Sequence, residues 1–258
     1  MLSSLNNPNV KRLVRMRDNR ARRKAGKVIV DGWRETLQAL NAGLNLQGVY
    51  TNEDEIPDEV QSRFSDRLVP VTDAVMDKIT YGQSSRGVVA EFDEPAWGLE
   101  QLSLPSNGLV LVLDQFEKPG NVGAVFRCAD AAGVDAILLT DSLADRFNPN
   151  AIRSSLGAVF QVPSAAISEH GARRFLAQHG YNAFAARVES STELWSTDLS
   201  GPVALIIGNE AKGLGQRWQT DATSAVQGIR IPMHGAIDSL NASVSASVLA
   251  YEARRQRV

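Results

Sequence analysis

Three short stretches of this 258-residue chain place polar or glycine-rich residues directly beside strongly apolar runs. That is the setting in which a buried strand presents backbone and side-chain groups to a ligand. The first, Lys118-Pro119-Gly120-Asn121-Val122-Gly123, follows Leu109-Val110-Leu111-Val112-Leu113. A helix opening there has free N–H groups that could face an anion, although a tight turn needing glycine would use the same residues. Its Gly-x-x-Gly spacing differs from the Gly-x-Gly-x-x-Gly of a dinucleotide site. Asp141 nevertheless falls about where a ribose-binding acid would sit, so a nicotinamide enzyme is one reading. On the helix that follows, Val122, Val125, Phe126 and Ala129 share one face, which leaves Arg127 on another. Arg127 is then either solvated or a contact for phosphate or carboxylate.

The second stretch, Gly208-Asn209-Glu210-Ala211-Lys212-Gly213-Leu214-Gly215, follows the apolar run Val203 to Ile207. It reads as a ligand loop or as a capping turn carrying a surface glutamate. The third, Ile229-Arg230-Ile231-Pro232-Met233, leads through a glycine-containing loop to Asp238-Ser239-Leu240-Asn241. Asn241 suits the N-cap of a helix in which Ala242, Ala246 and Ala250 allow close packing.

The elements that must hold these stretches follow from the apolar pattern. From Leu109 onward, strand candidates at Leu109–Leu113, Ala136–Leu139, Ala183–Ala186 and Val203–Ile207 alternate with helices at Asn121–Ala132 and Gly171–Gln178. This predicts a mostly parallel sheet with helices on both faces. Upstream, a helix over Val10–Arg23 with Leu13, Val14 and Met16 as its apolar strip precedes a strand at Lys27–Val30. A helix at Trp33–Asn41 and short strands at Leu46–Tyr50, Val69–Val71 and Val88–Phe92 complete a small α/β unit. Pro, Gly and Ser between Asp93 and Gly108 read as a linker. The expected division is 1–98, a linker 99–106, and 107–258.

The formal net charge of -2 conceals sorting of charge along the chain. Residues 1–30 carry Lys11, Arg12, Arg15, Arg17, Arg20, Arg22, Arg23, Lys24 and Lys27 against the single acid Asp18, while residues 53–59 are acidic. Polyanion binding would start at the N-terminus. The single cysteine, Cys128, excludes an intramolecular disulfide, and with three histidines it offers no metal-ligand spacing, so neither zinc nor another metal is expected. No apolar run approaches the roughly 20 residues that span a bilayer. The first residues lack the apolar core of a secretory signal, so no membrane association and a cytoplasmic location are expected.

Taken together, the three stretches resemble the ordered signatures of the SpoU, or TrmH-type, RNA 2′-O-ribose methyltransferases of the SPOUT superfamily. Asp114 to Gly133, with Asn121-Val122-Gly123-Ala124 and Arg127, is similar to the first signature, and Gly208-Asn209-Glu210 with Gly213-Leu214 to the second. Ile231-Pro232-Met233, Ser239 to Ser245 and Tyr251-Glu252 are similar to the third. Ile152-Arg153-Ser154-Ser155-Leu156-Gly157-Ala158 resembles the family's Arg-Ala-Ser-x-Gly-Ala segment, with Ser154 where alanine is common. Asn7-Pro8-Asn9-Val10-Lys11, Asp31-Gly32-Trp33-Arg34 and Ser84-Ser85-Arg86-Gly87-Val88 resemble the substrate-binding domain found ahead of many such catalytic domains.

The resemblance implies a SPOUT-type α/β sheet with a C-terminal trefoil knot, an exception to the usual avoidance of knots, preceded by a small ribosomal-protein-like α/β domain. It implies S-adenosylmethionine as cofactor, held by Gly208, Ile231, Met233 and Leu240, with no metal. It assigns the reacting hydroxyl to Arg127, supported by Asn121, Glu210, Ser239 and Asn241. Because a guanidinium with a pKa above about 12 stays protonated, electrostatic stabilisation is the better role for Arg127 than general base. Lys11, Arg12, Arg15, Arg20, Arg22, Arg23 and Arg153 would contact RNA, with ribosomal RNA favoured over transfer RNA. The C-terminal helix would join a homodimer. A transfer RNA methyltransferase, and a non-catalytic RNA-binding or ribosome-assembly protein of the same fold, are the alternatives.

Overall fold

A computed structural model describes the chain except for residues 83–85, 191, 223 and 258. The chain divides into two compact units. One comprises Met1–Ala96 with Phe147–Phe160, the other Trp97–Arg146 with Gln161–Val258. The segment around Arg153, expected within the second half, thus folds with the first unit.

In the first unit, the helix expected over Val10–Arg23 is two helices, α1 (Pro8–Arg15) and α2 (Asn19–Ala25). The break has a local cause. Asp18 accepts from the Ala21 N–H at 2.8 Å and caps α2, just as Asn7 accepts from Asn9 N–H and caps α1 ahead of Pro8. A side chain that satisfies a free helical N–H is worth about 1 kcal/mol, enough to start a new helix. There follow β1 (Lys27–Asp31), α3 (Trp33–Asn41), β2 (Leu46–Thr51), α4 (Asp58–Phe64), β3 (Leu68–Pro70), α5 (Asp73–Ile79) and β4 (Val88–Asp93). The sheet order is β1-β4-β2-β3, antiparallel except for the β2–β3 pair. Val10, Leu13 and Met16 of the first helical turns pack with Ile29, Tyr50, Val75, Met76 and Ile79. Ser84 and Ser85, placed by resemblance at the start of the closing strand, lie outside the described residues.

The second unit contributes β5 (Leu109–Asp114), α6 (Pro119–Ala132) and β6 (Ala136–Thr140) before the chain returns to the first unit for α7 (Pro149–Ser155). It resumes with β7 (Ser164–Ile167), α8 (Glu169–Gln178), β8 (Asn182–Ala186), β9 (Val203–Ile207), β10 (Val226–Ile229) and α9 (Ala242–Arg255). All neighbouring strands are parallel, in the order β10-β8-β9-β5-β6-β7. Every residue of β5 and β9 is buried, as expected of central strands covered on both faces. Val110, Val112, Ala136, Leu138, Ala204 and Ile206 share a core with Ala172 and Leu176 of α8. Strand alternation turns Leu109, Leu111 and Leu113 to the other face, where α9 packs on β5, β9 and α6. No helix among the described residues is long and apolar enough to cross a membrane.

Candidate active site

The carboxyl ends of β8, β9 and β10 open into a cavity of about 470 Å³. Strand order reverses between β5 and β9, and the exit end beside such a reversal is where open parallel sheets bind ligands. Gly208, Ile231, Met233 and Leu240, the four residues implied as cofactor contacts, all line this cavity, as do Glu210 and Ser239. Ile207, Leu214 and Ile229 add apolar surface, and Arg187, Glu189, Lys212 and Asp238 add charge.

The loop after β9 has a shape only its glycines permit. The Gly213 N–H donates to the Asn209 carbonyl at 2.9 Å, folding the loop back on itself. A Cβ on Gly208 would lie 2.4 Å from the Gly213 carbonyl carbon, far inside contact distance. Gly213 itself has φ +60. Asn209 steadies the turn by accepting from the Ala211 and Lys212 N–H groups at 2.8 and 3.1 Å, while its amide donates to the Gln115 carbonyl at 2.9 Å.

Glu210 is the next residue, and the structure links it to two of its expected partners. It accepts from the Asn121 side-chain amide at 2.9 Å and from the backbone N–H groups of Glu117 and Lys118 at 3.3 and 3.2 Å. Asn241 in turn donates to the Asn121 side-chain oxygen at 3.3 Å. Burial pushes the Glu210 carboxyl up, but Asn121 and the backbone donors outweigh it and hold the pKa below the usual glutamate value. Asn241 is the N-cap of α9, accepting from Ser243 N–H at 2.9 Å, so one residue starts the helix and reaches α6.

Arg127 stands apart from this run. Val122, Val125, Phe126 and Ala129 are fully buried, and Arg127 is exposed on another side of α6, with no hydrogen bond or ion pair among the described residues. Asp141, the residue that suggests a ribose contact, pairs with Arg217 at 2.6 Å instead. No cluster of three or more metal-ligating side chains occurs among the described residues. Sequence pattern alone misses the contributions of Asn209, Arg187 and Arg217. Asn209 sits inside a motif whose glycines and glutamate carry the signal, and the two arginines belong to no local pattern.

The basic N-terminal segment is less uniform than its sequence. Lys11, Arg15, Arg20 and Arg23 are exposed. Arg22 corrects the expectation of an RNA contact: it is 1% exposed and donates to Asn19 at 2.9 Å, a packed position that a phosphate does not reach. Arg12 is likewise committed inside the unit. It forms a forked pair with the buried carboxylate of Glu91, one arm at 2.7 Å, and meets the Tyr50 hydroxyl at 3.3 Å. Arg153 donates to the Tyr81 carbonyl at 2.7 Å and pairs with Asp31 at 3.5 Å.

Comparison with known proteins agrees with this geometry. The pattern of the SpoU rRNA Methylase family matches residues 108–251, and that of the MRM3-like substrate binding domain matches residues 7–90. A 23S rRNA (uridine(2479)-2′-O)-methyltransferase of Streptomyces viridochromogenes is 28% identical over 249 residues, 92% of this chain and 85% of that protein. The crystal structure of an RNA 2′-O ribose methyltransferase, 35% identical, superposes with a TM-score of 0.85 over 99% of this chain and 98% of its own. An AdoMet-bound rRNA methyltransferase from Sinorhizobium meliloti, 27% identical, gives 0.89 over 100% and 98%. The match over more than half the sequence, on the strands and loops that build the cavity, makes this chain a member of the SpoU rRNA methylase family.

Proposed function

We propose that the chain transfers a methyl group from S-adenosylmethionine to a ribose 2′-hydroxyl of ribosomal RNA. The observation that carries this reading is the joining of the cavity to the hydrogen-bonded run Asn241–Asn121–Glu210. An adenosyl ligand suits the cavity. Its volume lies in the ~300–1,000 Å³ range of small-molecule sites. Ile207, Leu214, Ile229, Ile231 and Leu240 give it apolar surface, while the backbone of 208–215 brings polar groups.

When bound, S-adenosylmethionine supplies an electrophilic methyl group on a sulfonium. The chain's own contribution is position and charge. Gly208, Ile231, Met233 and Leu240 hold the cofactor, and Asn121, Ser239 and Asn241 orient the ribose. Glu210 already accepts three hydrogen bonds, so it braces the 117–121 turn and is a poor proton acceptor. Arg127 holds the target phosphate and stabilises negative charge developing on the 2′ oxygen. The hydroxyl proton passes to solvent water.

Ribosomal RNA is favoured because the first unit matches a substrate-binding domain and the Streptomyces relative is named for 23S rRNA. In this reading residues 1–98 deliver RNA, through Lys11, Arg15, Arg20 and Arg23, to the catalytic residues 107–258, and the protein acts in the cytoplasm. The third signature completes the knot around the cofactor. On α9, Val244 is 46% and Tyr251 52% exposed, with Val248 between them at helical spacing, and this stripe joins two copies.

Transfer of a radioactive methyl from S-adenosylmethionine, assayed on purified rRNA and tRNA and followed by mapping of 2′-O-methyl positions, tests the proposal. Label on ribose of rRNA is expected. Label confined to tRNA would overturn the choice of substrate, and absence of both transfer and cofactor binding would overturn the enzyme. A monomer at micromolar concentration by sedimentation would remove the dimer.

A further inference from the structure

The cofactor loop is fastened at both ends to one short segment. At its start, Asn209 donates to the Gln115 carbonyl and Glu210 accepts from the N–H groups of Glu117 and Lys118. At its far end, Arg217 grips Asp114 with two hydrogen bonds, Nε to Oδ2 at 2.8 Å and Nη2 to Oδ1 at 2.9 Å. Asp114 is fully buried and also accepts from the Thr140 hydroxyl at 2.7 Å. The guanidinium meets two further carboxylates, Asp141 at 2.6 Å and Glu169 at 3.2 Å. Arg187, on the cavity wall, donates to the carbonyls of Gly215 and Arg217, the first at 2.8 Å. Residues 114–118 therefore hold the loop at both of its ends, and they lead directly into α6, which bears Asn121 and Arg127.

A second observation marks the same place. Of the four non-glycine residues with positive φ among those described, three gather here: Gln115 at +54, Asp141 at +47 and Trp218 at +55. Such a backbone conformation is unfavourable for a residue with a side chain and persists only where surrounding contacts fix it, commonly at functional sites. Here those contacts are the Asn209 amide on the Gln115 carbonyl, Arg217 on Asp141, and the Glu169 carboxylate accepting from the Trp218 N–H at 3.0 Å.

We propose that Arg217, seated on Asp114, is a positioning residue that sets the cofactor loop and the start of α6 on a common base, so that cofactor affinity and alignment of the ribose hydroxyl depend on one fork of hydrogen bonds. The inference rests on the methyltransferase reading above. A single lysine ammonium reproduces the charge of Arg217 but not a fork that spans three carboxylates.

The test measures binding of S-adenosylhomocysteine by calorimetry, and kcat and KM on rRNA, for Arg217→Lys, Asp114→Asn and Asp141→Asn, each corrected for the folded fraction. Arg217→Lys is expected to weaken binding about tenfold and to lower kcat at saturating cofactor by a similar factor. Asp114→Asn should do the same, and the double variant should lose much less than the product of the two single effects, because the two changes share one interaction. Asp141→Asn keeps a residue that tolerates positive φ and should give a smaller shift of the same sign, which keeps the test decisive if the buried variants fail to fold. Affinity and kcat within twofold of the unaltered chain in every folded variant, with only thermal stability lowered, would overturn the proposal. If the unaltered chain itself binds no S-adenosylhomocysteine, the methyltransferase reading is what fails.

Discussion

The arginines of the first unit and Arg127 on α6 are chemically the same and differ in what surrounds them. Arg12 faces Glu91, Arg153 faces Asp31, and Arg22 is packed against Asn19, whereas Arg127 leaves its helix with no partner among the described residues. Charge that is already neutralised by a nearby carboxylate stabilises the fold. Charge left exposed is available to a polyanion. A basic run therefore overstates the surface open to a polyanion, because only its exposed members, among them Arg15 and Arg20, share the situation of Arg127.

The largest effect that would sharpen this contrast is at Arg127. Arg127→Ala should lower kcat/KM on RNA by about 10²–10³-fold, the size seen when a donor to a developing oxyanion is removed. Its stability should stay within about 0.5 kcal/mol of the unaltered chain. A comparable rate with alanine would break the comparison from the catalytic side.

Arg12→Met should do the reverse. It leaves the buried Glu91 carboxylate without its forked partner and should destabilise the first unit by about 2 kcal/mol, below the ~3–5 of a fully buried pair because Arg12 is partly exposed. Affinity for RNA per folded molecule should change less than about twofold. Denaturant unfolding and filter binding on the same variant decide the matter.

Asp31 offers a pH test of the same interior pairing. Burial raises its carboxyl to about 6, with the Tyr81 N–H and Arg153 acting against the rise. The folded state therefore holds a proton that the unfolded chain releases near pH 4. Stability should fall as pH rises from about 4 to about 6 and then level off, by about 2–3 kcal/mol. Asp31→Asn should flatten that slope, and an unchanged slope would mean that Asp31 titrates alike in the folded and unfolded chain.

The smallest effect is expected from exposed cations. Replacing Lys11, Arg15 and Arg20 together with glutamine should weaken RNA binding about tenfold at low salt. At about 0.7 per phosphate contact on single strands, the salt slope should fall by about 2. The same slope after substitution would move the RNA surface elsewhere.

Strong local patterns are legible in the sequence. The fully buried strands β5 and β9 are continuous apolar runs, α6 shows its core face at helical spacing, and Asn241 signals the start of α9. Residues of the glycine-rich loop and of the C-terminal signature line one cavity. Weak or distant patterns are not legible. Ser164–Ile167 and Val226–Ile229 form strands of four residues, too short and too mixed to stand out. The division at Asp18 comes from one side-chain cap inside a run whose composition is otherwise helical throughout. The Arg217 fork joins Asp114 and Asp141, 103 and 76 residues away, and no local window contains both partners. Buried Arg22 donates to Asn19, which also accepts from Asn148, 129 residues on.

The return of residues 147–160 to the first unit bears on how such proteins can be recombined. The chain passes between its two units three times, after Ala96, after Arg146 and after Phe160. A fragment ending near residue 98 would lack α7 and would strip Asp31 of Arg153 and Asn19 of Asn148. A fragment starting there would carry the same fourteen residues with no scaffold. Exchanging the first unit between relatives thus requires moving residues 147–160 with it as well as making a cut near residue 96. Chimeras made with a single junction should express poorly, while those that transplant both pieces should fold.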